Sequence, residues 1–413
     1  MVMINEIVKI LDRKLCDHCL GRQVSQLIYD LTNEERGRML RNIVAMMIDG
    51  KFIDNSKINQ NNFYNIKFRQ NKEFGKDAKK EKCWLCNDLF DNLESMTKKA
   101  EVKLKKIDFN NFLVGSKVPD EVLKKEEKLW EETGIEYVES IKSEINREVG
   151  KKLGFLFNRP TNFKNPDVVV LADFSNKKIN LQINSLYILG CYQKLKRGIP
   201  QSKWGTPGKY STSVQEMVAK PLMKVTHGKG NSFHGMGRED VDARCLGWRP
   251  FIIEIAEPKK RFINLKQIQK EINKSRKIKV DKLKFSDKFT VVRIKSEKGD
   301  KTYRLMVDFD KPVEKSDLRK LKSLLGVISQ QTPVRVMHRR ADMTRRRMVK
   351  EMKFKQISKK RIELTVRTSA GLYVKELVTG DNGRTRPSVS EILNVKAIPK
   401  KLDVIKIESP KNL

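Results

Sequence analysis

The spacing of apolar residues divides the chain into a first part with helical periodicity and a later part rich in strands. Apolar residues recur at three- and four-residue intervals between Leu27 and Met47, which predicts helix in that stretch. Residues 54–82 are rich in Asn and Lys and lack this periodicity, so we expect a loop or an irregular hairpin there. Pro119 and Asp120 begin a charged amphipathic stretch that predicts a helix to about residue 149.

Turns and β-branched runs replace the helical spacing after residue 153. The run VVVLADF at 168–174 has the composition of a buried strand, and a second strand is expected after Lys178. Because the later strands cluster instead of alternating with helices, the pattern indicates an α+β fold with a mainly antiparallel sheet and flanking helices. The further strands are expected at 251–256, 289–295, 302–308, 333–338 and 361–367, and the helices near 213–220, 316–326 and 371–379.

The charge balance points to a polyanion as the partner. The 413 residues include 87 Lys and Arg against 51 Asp and Glu, a formal net charge of +36. Such an excess creates a long-range field that attracts nucleic acid. The alternative, a basic protein adapted to a crowded or salty cytoplasm, agrees less well with the clustering of the arginines.

The apolar content argues against a membrane protein. The sequence has no run of about 18 consecutive apolar residues, the length that a spanning helix requires. The first sixteen residues carry acidic and basic side chains among their apolar positions, unlike a signal peptide. We therefore expect an untargeted soluble protein of the cytoplasm, long enough for two or three domains.

Two Cys-x-x-Cys pairs predict a metal site. Cys16 and Cys19 form the first pair, and Cys83 and Cys86 form the second. Four thiolates complete a tetrahedral structural zinc site and leave no position open for catalysis. A redox dithiol normally needs only one such pair, and a reducing cytoplasm disfavours disulfides. His18 lies within the first pair and is an alternative ligand, but a full set of four cysteines leaves it facing solvent.

The segment 235–255 contains the strongest candidate for a catalytic group. Asp240 lies two residues after Arg238 in a glycine-flanked turn that leads into an apolar strand. A carboxylate nucleophile must stay ionised near neutral pH, and a nearby arginine favours its charged form. The alternatives are a surface turn whose aspartate only caps its own backbone, or Asp242 as the reactive group. Otherwise Asp242 is expected to orient Arg244 or to cap the turn.

Two separated motifs resemble those of one enzyme family. The run Gly237–Asp240 resembles the Arg-x-Asp signature of pseudouridine synthases, and residues 237–251, GREDVDARCLGWRPF, are similar to the archaeal and eukaryotic tRNA pseudouridine-54/55 synthases. Residues 371–390 resemble the C-terminal motif of that family, Gly-x-Tyr-x-Lys/Arg. The helix, Pro-broken loop and paired strands that end near residue 204 resemble a THUMP domain, an RNA-end-binding module. Two motifs in the family's order are more specific than one.

The resemblance implies three regions and one activity. They are a zinc-binding region at 1–95, a THUMP-like RNA-binding region at 96–208 and a pseudouridine synthase catalytic domain at 209–413. The implied reaction converts uridine 54, uridine 55 or both, in the TΨC loop of tRNA, to pseudouridine without a catalytic cofactor. With its RNA-binding regions on one chain, the enzyme is expected to act as a monomer without an obligate protein partner.

The resemblance also assigns roles to individual residues. Asp240 is the nucleophile, paired with Arg238, and attacks either the ribose or the base. Tyr303 faces the uracil ring, and Lys375 pairs with the aspartate where many relatives have arginine. The alternative for Tyr303 is an ordinary strand residue. The pocket floor is assigned to Val374 and Leu402, which are otherwise ordinary core residues.

An arginine-rich stretch is the expected contact for RNA. It follows Gln331–Pro333, which resembles the family's Gln-x-Pro motif. Arginine pairs with phosphates through two donors and stacks on unpaired bases, so such a cluster suits a folded RNA loop. The alternative is a solvated face of a helix. The residues assigned to RNA are Arg335, Arg339, Arg340, Arg345, Arg346, Arg347 and, in a later loop, Arg384.

Two other functions compete with this interpretation. Another THUMP-type tRNA-modifying enzyme, a methyltransferase or thiouridine synthetase, requires a nucleotide-binding loop, but the sequence contains no Gly-x-Gly-x-x-Gly or Walker motif. A non-catalytic RNA-binding protein with zinc and THUMP regions would explain the charge. It would not explain why Asp240, Tyr303 and Lys375 occur together in this pattern.

Overall fold

A computed structural model describes residues 2–134, 136–205 and 208–408, without the side chains of Val2, Met3 and Arg339. The chain forms two compact units, Met1–Asn184 and Ser185–Leu413. None of the helices in the described ranges is both long and apolar enough to cross a membrane.

The first unit packs helices around one apolar core and a small sheet. In the sheet β1 pairs with β2 in parallel, and β2 pairs with β3 antiparallel. The strands are β1 (Phe112–Lys117), β2 (Val168–Asp173) and β3 (Lys178–Ile183). The helices are α1 (Val2–Ile10), α2 (Asp17–Gly21), α3 (Asn33–Asp49), α4 (Leu93–Leu104), α5 (Asp120–Thr133) and α6 (Ile141–Phe157).

Caps and glycines explain where the first unit departs from the predicted helices. The helix expected from residue 27 starts only at Asn33, because Thr32 and Glu35 form a capping box there. The long helix expected to residue 149 is two helices, since Gly134 ends α5 with a φ of 64° and Ser140 caps α6. The strand predicted at 168–174 is confirmed as β2.

The second unit is built on a ten-stranded mixed sheet. Its strands run in the order β12-β9-β10-β11-β8-β13-β6-β4-β7, and β5 pairs with β6. β13 and β6 are parallel, whereas the other pairs are antiparallel, so the predicted α+β class and mainly antiparallel sheet are confirmed. The strands are β4 (Leu186–Lys194), β5 (Gly230–Gly235), β6 (Arg244–Ala256), β7 (Ile278–Ser286), β8 (Lys301–Phe309), β9 (Gly326–Gln330), β10 (Arg345–Ser358), β11 (Arg361–Thr368), β12 (Thr385–Arg386) and β13 (Ala397–Ile407).

Helices cover this sheet and bury its apolar residues. They include the predicted helices near 213–220, 316–326 and 371–379, the second of which continues as a 3₁₀-helix, Arg319–Leu324. The helices are α7 (Val214–Thr226), α8 (Leu265–Asn273), α9 (Lys288–Ser296), α10 (Lys315–Leu318), α11 (Val374–Thr379) and α12 (Val389–Leu393).

Two predicted strands are wrong. Residues 289–295 form α9, because Asp287 caps the helix through the Thr290 amide and Val291 and Ile294 share one buried face. Residues 333–338 lie in a 3₁₀-helix that follows Pro333, whose φ of −58° suits a helix start. In both places the β-branched side chains suggested strand, but local hydrogen bonding favoured helix.

The unit boundaries differ from the divisions expected at residues 95 and 208. The first division falls within α4, whose buried residues join the core of the whole first unit. The second falls after β4, which hydrogen-bonds to β6 and β7 in the large sheet. Residues 185–208 therefore lie in the unit that carries the catalytic motifs.

Candidate active site and metal centre

The turn between β5 and β6 is held by a buried carboxylate, Glu239. Its Oε2 atom lies 3.0 Å from Nε of Arg249, and its Oε1 atom lies 3.7 Å from Nζ of Lys194. The hydroxyl of Tyr192 donates to the same carboxylate at 3.0 Å. All three side chains that contact Glu239 are fully buried, so the turn is anchored from inside the sheet.

Backbone contacts fix the turn further. The buried Lys194 donates to the carbonyl oxygens of Asp240 at 3.0 Å and of Val241 at 3.3 Å. Gln201 donates to the carbonyl oxygen of Gly237, where a φ of 70° requires glycine. These contacts hold the backbone of the turn at Asp240, just before β6 begins.

The Asp240 carboxylate lies in an open pocket between two cations. Its Oδ2 atom is 3.2 Å from Nζ of Lys375 and 3.5 Å from Nη1 of Arg335, and its side chain is 34% exposed. The pocket has a volume of ≈ 440 Å³ and is lined by Gly198, Tyr210, Asp240, Val241, Asp242, Arg335 and Lys375. A partly exposed, ion-paired carboxylate is held in place and can still reach a substrate.

Lys375 also pairs with the rival carboxylate. Its Nζ atom lies 2.8 Å from Oδ2 and 2.9 Å from Oδ1 of Asp242. Burial alone would raise the pKa of Asp242, but its hydrogen bonds and attraction to Lys375 outweigh burial and hold the pKa below its ordinary value. The side chain of Asp242 is 69% exposed, twice the exposure of Asp240.

The expected pairing of Arg238 with Asp240 is wrong. Arg238 is exposed and forms no ion pair with a side chain that the structure describes, whereas Lys375 and Arg335 contact Asp240. The inward-facing Glu239 and the left-handed Gly237 turn the Arg238 side chain away from the pocket. Arg244 is likewise oriented by Asp403, at 2.7 Å, and not by Asp242.

Arg335, which was assigned to RNA, lies in the pocket. Its Nε atom is 2.6 Å from Oε1 of Glu376, a buried residue of α11. This second ion pair aims the guanidinium at Asp240. The sequence motif that supplies Lys375 therefore also supplies the residue that orients Arg335.

Tyr303 and the two expected floor residues lie in the core beside the pocket. Burial raises the pKa of Tyr303 to about 12, and the nearby charge of Asp240 adds to the effect. Tyr303 packs against the cluster that contains Val374 and Leu402, which are 4% and 8% exposed. Both residues have the burial of ordinary core side chains.

The remaining arginines divide into those that hold a loop and those that stay exposed. Arg345 donates to the hydroxyl of Thr332 at 2.8 Å, and Arg384 donates to the Thr332 carbonyl at 2.9 Å and pairs with Asp342. Arg340 donates to the Tyr373 hydroxyl. Arg346 is exposed and Arg347 half-buried, while the side chain of Arg339 lies outside the described residues.

Several residues that support the site were missed by the sequence analysis. Lys194, Arg249 and Glu239 are charged side chains inside an apolar sheet, and Arg197 donates to the carbonyl of Asp242 at 2.9 Å. A lysine or arginine within an otherwise apolar strand, as in the β6 sequence GWRPFIIEI, was the available signal.

A buried lysine beside the turn predicts a pH-dependent stability. Burial lowers the pKa of Lys301 to about 8, whereas a lysine in an unfolded chain titrates near 10.4, at about its reference pKa. Between these two pH values the Lys301 amine is protonated in the unfolded chain but not in the folded one. The free energy of unfolding therefore increases with pH over this range. We expect Lys301→Met to remove that rise. Denaturant titrations of both proteins between about pH 7 and 10.5 give the free energy of unfolding at each pH. A difference between wild type and Lys301→Met that stays the same at every pH would contradict the prediction.

The four predicted cysteines meet in the first unit. Their sulfur atoms all lie within 4.8 Å of one another, and Sγ of Cys16 is 3.6 Å from Sγ of Cys86. Zn–S bonds of about 2.3 Å in a tetrahedron require sulfurs about 3.8 Å apart, so the cluster fits zinc. His18 does not face solvent as expected, because it stacks on Phe90 at 4.2 Å and hydrogen-bonds Glu144.

Comparison with known proteins covers both units. Residues 187–408 match the family described as "Pus10, C-terminal", and residues 96–173 match "Pus10 THUMP domain, archaeal". Three proteins named tRNA pseudouridine synthase Pus10 are similar along nearly their whole length. That of Methanothrix thermoacetophila is 38% identical over 95% of this chain and 91% of its own. Those of Pyrococcus furiosus and Methanocaldococcus jannaschii are each 39% identical, over 96% and 95% of this chain and 95% and 92% of their own.

A solved structure, the Cbf5–Nop10–Gar1 complex, aligns with 52% of this chain and 48% of the matched chain, at a TM-score of 0.31 and 14% identity. The sequence relatives, at more than twice that identity, define an enzyme of the pseudouridine synthase class. Within that class the chain belongs to the Pus10 family of tRNA pseudouridine synthases. The expected tRNA pseudouridine synthase activity is confirmed, as is the presence of a THUMP domain, which matches residues 96–173.

Proposed function

We propose that this tRNA pseudouridine synthase modifies uridine 54, uridine 55 or both in the TΨC loop, with Asp240 as its nucleophile. The observation that supports Asp240 is its partly exposed carboxylate, which lies in an open pocket within 3.5 Å of both Lys375 and Arg335. Both cations pair with this carboxylate, and its exposed side can reach a substrate for nucleophilic attack.

The reaction assigns a task to each neighbouring group. Asp240 forms a covalent bond with the substrate, the glycosidic C–N bond breaks, and the uracil rotates before its carbon bonds to the ribose. No electrons are gained or lost, so the chemistry needs no redox cofactor. Lys375 and Arg335 hold the carboxylate in place. Tyr303, on β8, is the proposed aromatic contact for the rotating ring.

Tritium release from tRNA labelled at uracil carbon 5 tests the reaction, because that hydrogen leaves when the new C–C bond forms. Sequencing of chemically labelled tRNA after incubation with the pure protein identifies the modified position. We expect release with pseudouridine at position 54, 55 or both. Pseudouridine at other positions alone would contradict the proposed site in tRNA.

Two arginines of β10, the exposed Arg346 and the half-buried Arg347, are proposed to bind RNA phosphates. Arg346 and Arg347 line an open pocket of ≈ 320 Å³ together with Lys298. We expect Arg346→Ala to lower the slope of log affinity against log salt by about 0.7–0.9. Arg361, which is paired with Asp308, supplies the matched control, because Arg361→Ala should leave the slope unchanged. Equal slopes for Arg346→Ala and wild type would place Arg346 outside the interface.

Zinc is the proposed occupant of the cysteine cluster. We expect about one equivalent in protein purified without chelator, measured by elemental analysis. Cys83→Ser should lose the metal and destabilise the first unit, because metal binding contributes folding free energy. Cys191→Ser, a half-buried thiol outside the cluster, should keep the metal. Protein without zinc would refute the proposal.

The enzyme is proposed to act in the cytoplasm as a single chain. The catalytic pocket, the basic strand β10 and the THUMP region occur on one polypeptide, which supports action without a protein partner. Pseudouridine formation by the purified chain on unmodified tRNA tests this, and a strict requirement for an added protein would contradict it.

A further inference from the structure

The segment between β4 and α7 borders the catalytic pocket. Its first half is tied to the catalytic turn, because the Gly198 amide donates to the Val241 carbonyl at 2.9 Å and Gln201 donates to Gly237 at 3.0 Å. Gln201 is buried and also donates to the Tyr192 hydroxyl. Gly198 and Gln201 are therefore held beside the turn that carries Asp240.

An aromatic pair follows on the same segment. The rings of Trp204 and Tyr210 meet edge to face, with centroids 5.2 Å apart, and Nζ of Lys209 lies 5.3 Å from the Trp204 ring centroid. Tyr210 lines the pocket that holds Asp240, Lys375 and Arg335. Both aromatic rings are only partly buried, so each presents surface to a ligand.

Among the described side chains that line this pocket Tyr210 is the aromatic one, whereas Tyr303 packs against the apolar cluster that contains Val374 and Leu402. An enzyme that acts on a base in a folded loop must turn that nucleotide out of its stack. The base next to it then loses a stacking partner, and an aromatic side chain beside the catalytic carboxylate can replace the lost contact.

We propose that Tyr210, supported by Trp204, stacks on the nucleobase adjacent to the target uridine. This inference rests on the proposed function of the Asp240 pocket. The stack stabilises the RNA conformation in which the uridine is turned out, so Tyr210 is a substrate-binding residue that affects which uridine enters the pocket. Trp204 holds the Tyr210 ring in its edge-to-face orientation.

Steady-state kinetics on tRNA provide the first test. Removing a base–aromatic stack should raise KM roughly tenfold or more in Tyr210→Ala, with a smaller change in kcat. Tyr210→Phe keeps the ring and should behave like wild type. Trp204→Ala should show a weaker form of the same defect. Phe289→Ala, which removes a 75% exposed ring outside the pocket, is the matched control and should have no effect.

Substrates with one missing base provide the decisive test. Two synthetic T-arm stem–loops are compared with the intact one, each with an abasic nucleotide on one side of the target uridine. If Tyr210 stacks on that neighbour, wild type should be less active on one abasic RNA than on the intact stem–loop. Tyr210→Ala should be equally active on that abasic RNA and on the intact stem–loop. The same non-additivity should appear with Trp204→Ala.

The outcomes separate this inference from the proposed function. Additive losses on both abasic RNAs, or an inactive Tyr210→Phe that is folded, would overturn the stacking role while wild-type turnover persists. Absence of pseudouridine from the intact stem–loop and from tRNA with wild-type enzyme would instead overturn the proposed function itself.

Discussion

Asp240→Asn is expected to abolish pseudouridine formation while leaving tRNA affinity nearly unchanged. The substitution keeps the shape of the side chain and removes the nucleophile, so turnover should fall by at least about 10⁴-fold. Affinity should persist because the proposed phosphate contacts, Arg346 and Arg347, are not among the residues that line the Asp240 pocket. Single-turnover rates at saturating enzyme, with binding measured in parallel, separate the two effects.

Asp242→Asn is the matched control for Asp240. Both carboxylates contact Lys375, but Asp242 is twice as exposed and lacks the Arg335 contact of Asp240. We expect Asp242→Asn to keep activity within a few fold of wild type. Full activity in Asp240→Asn would remove it from the mechanism, and loss confined to Asp242→Asn would assign the nucleophile to its neighbour.

The second large effect concerns stability. Glu239→Ala would leave Arg249 and Lys194, both fully buried, without their shared counter-charge. Breaking a buried ion pair by removing one partner typically costs about 3–5 kcal/mol. The second unit of the variant should therefore unfold at much lower denaturant, and its turnover should fall because the Asp240 turn loses its anchor. Hydrogen exchange in β4 and β6 during a denaturant titration reports on this unit alone.

An exposed pair supplies the control for Glu239. Glu314 pairs with Lys359 at 2.9 Å, and both side chains are more than half exposed. Solvent screens such a pair, so Glu314→Ala should cause no measurable change in unfolding. If Glu239→Ala unfolded at the same denaturant concentration as wild type, the prediction would be wrong. Arg249 and Lys194 would then not depend on Glu239 as their counter-charge.

Short motifs predicted one ion pair of the candidate site and missed the other. Asp240 and Lys375 could be named because the spacing of their motifs is specific, and the structure brings the two within 3.2 Å. Arg238 was misassigned as a partner because proximity along the chain does not fix side-chain direction in a turn with a left-handed glycine. Arg335, the second cation at Asp240, comes from a distant segment that no local pattern links to Asp240.

Fold prediction failed where local hydrogen bonding opposed side-chain preference. Runs of β-branched and apolar residues identified β2, β8 and β11, whose side chains pack on a sheet face. The run at 289–295 has similar β-branched residues but is helical, because the Asp287 cap stabilises the first turn of α9. Buried charges such as Glu239 were missed because the free-energy cost of burying a charge is offset here only by contacts with residues distant in sequence.

The order of strands in the large sheet has a consequence for how the protein is made. β13 lies between β8 and β6, although both are translated long before it, and Asp403 on β13 pairs with Arg244 at the start of β6. The two halves of the sheet therefore cannot join while a ribosome is still adding residues 397–407. Until then the nascent enzyme exposes unpaired edges of β6 and β8, a period in which chaperone protection matters and no modification of tRNA can begin.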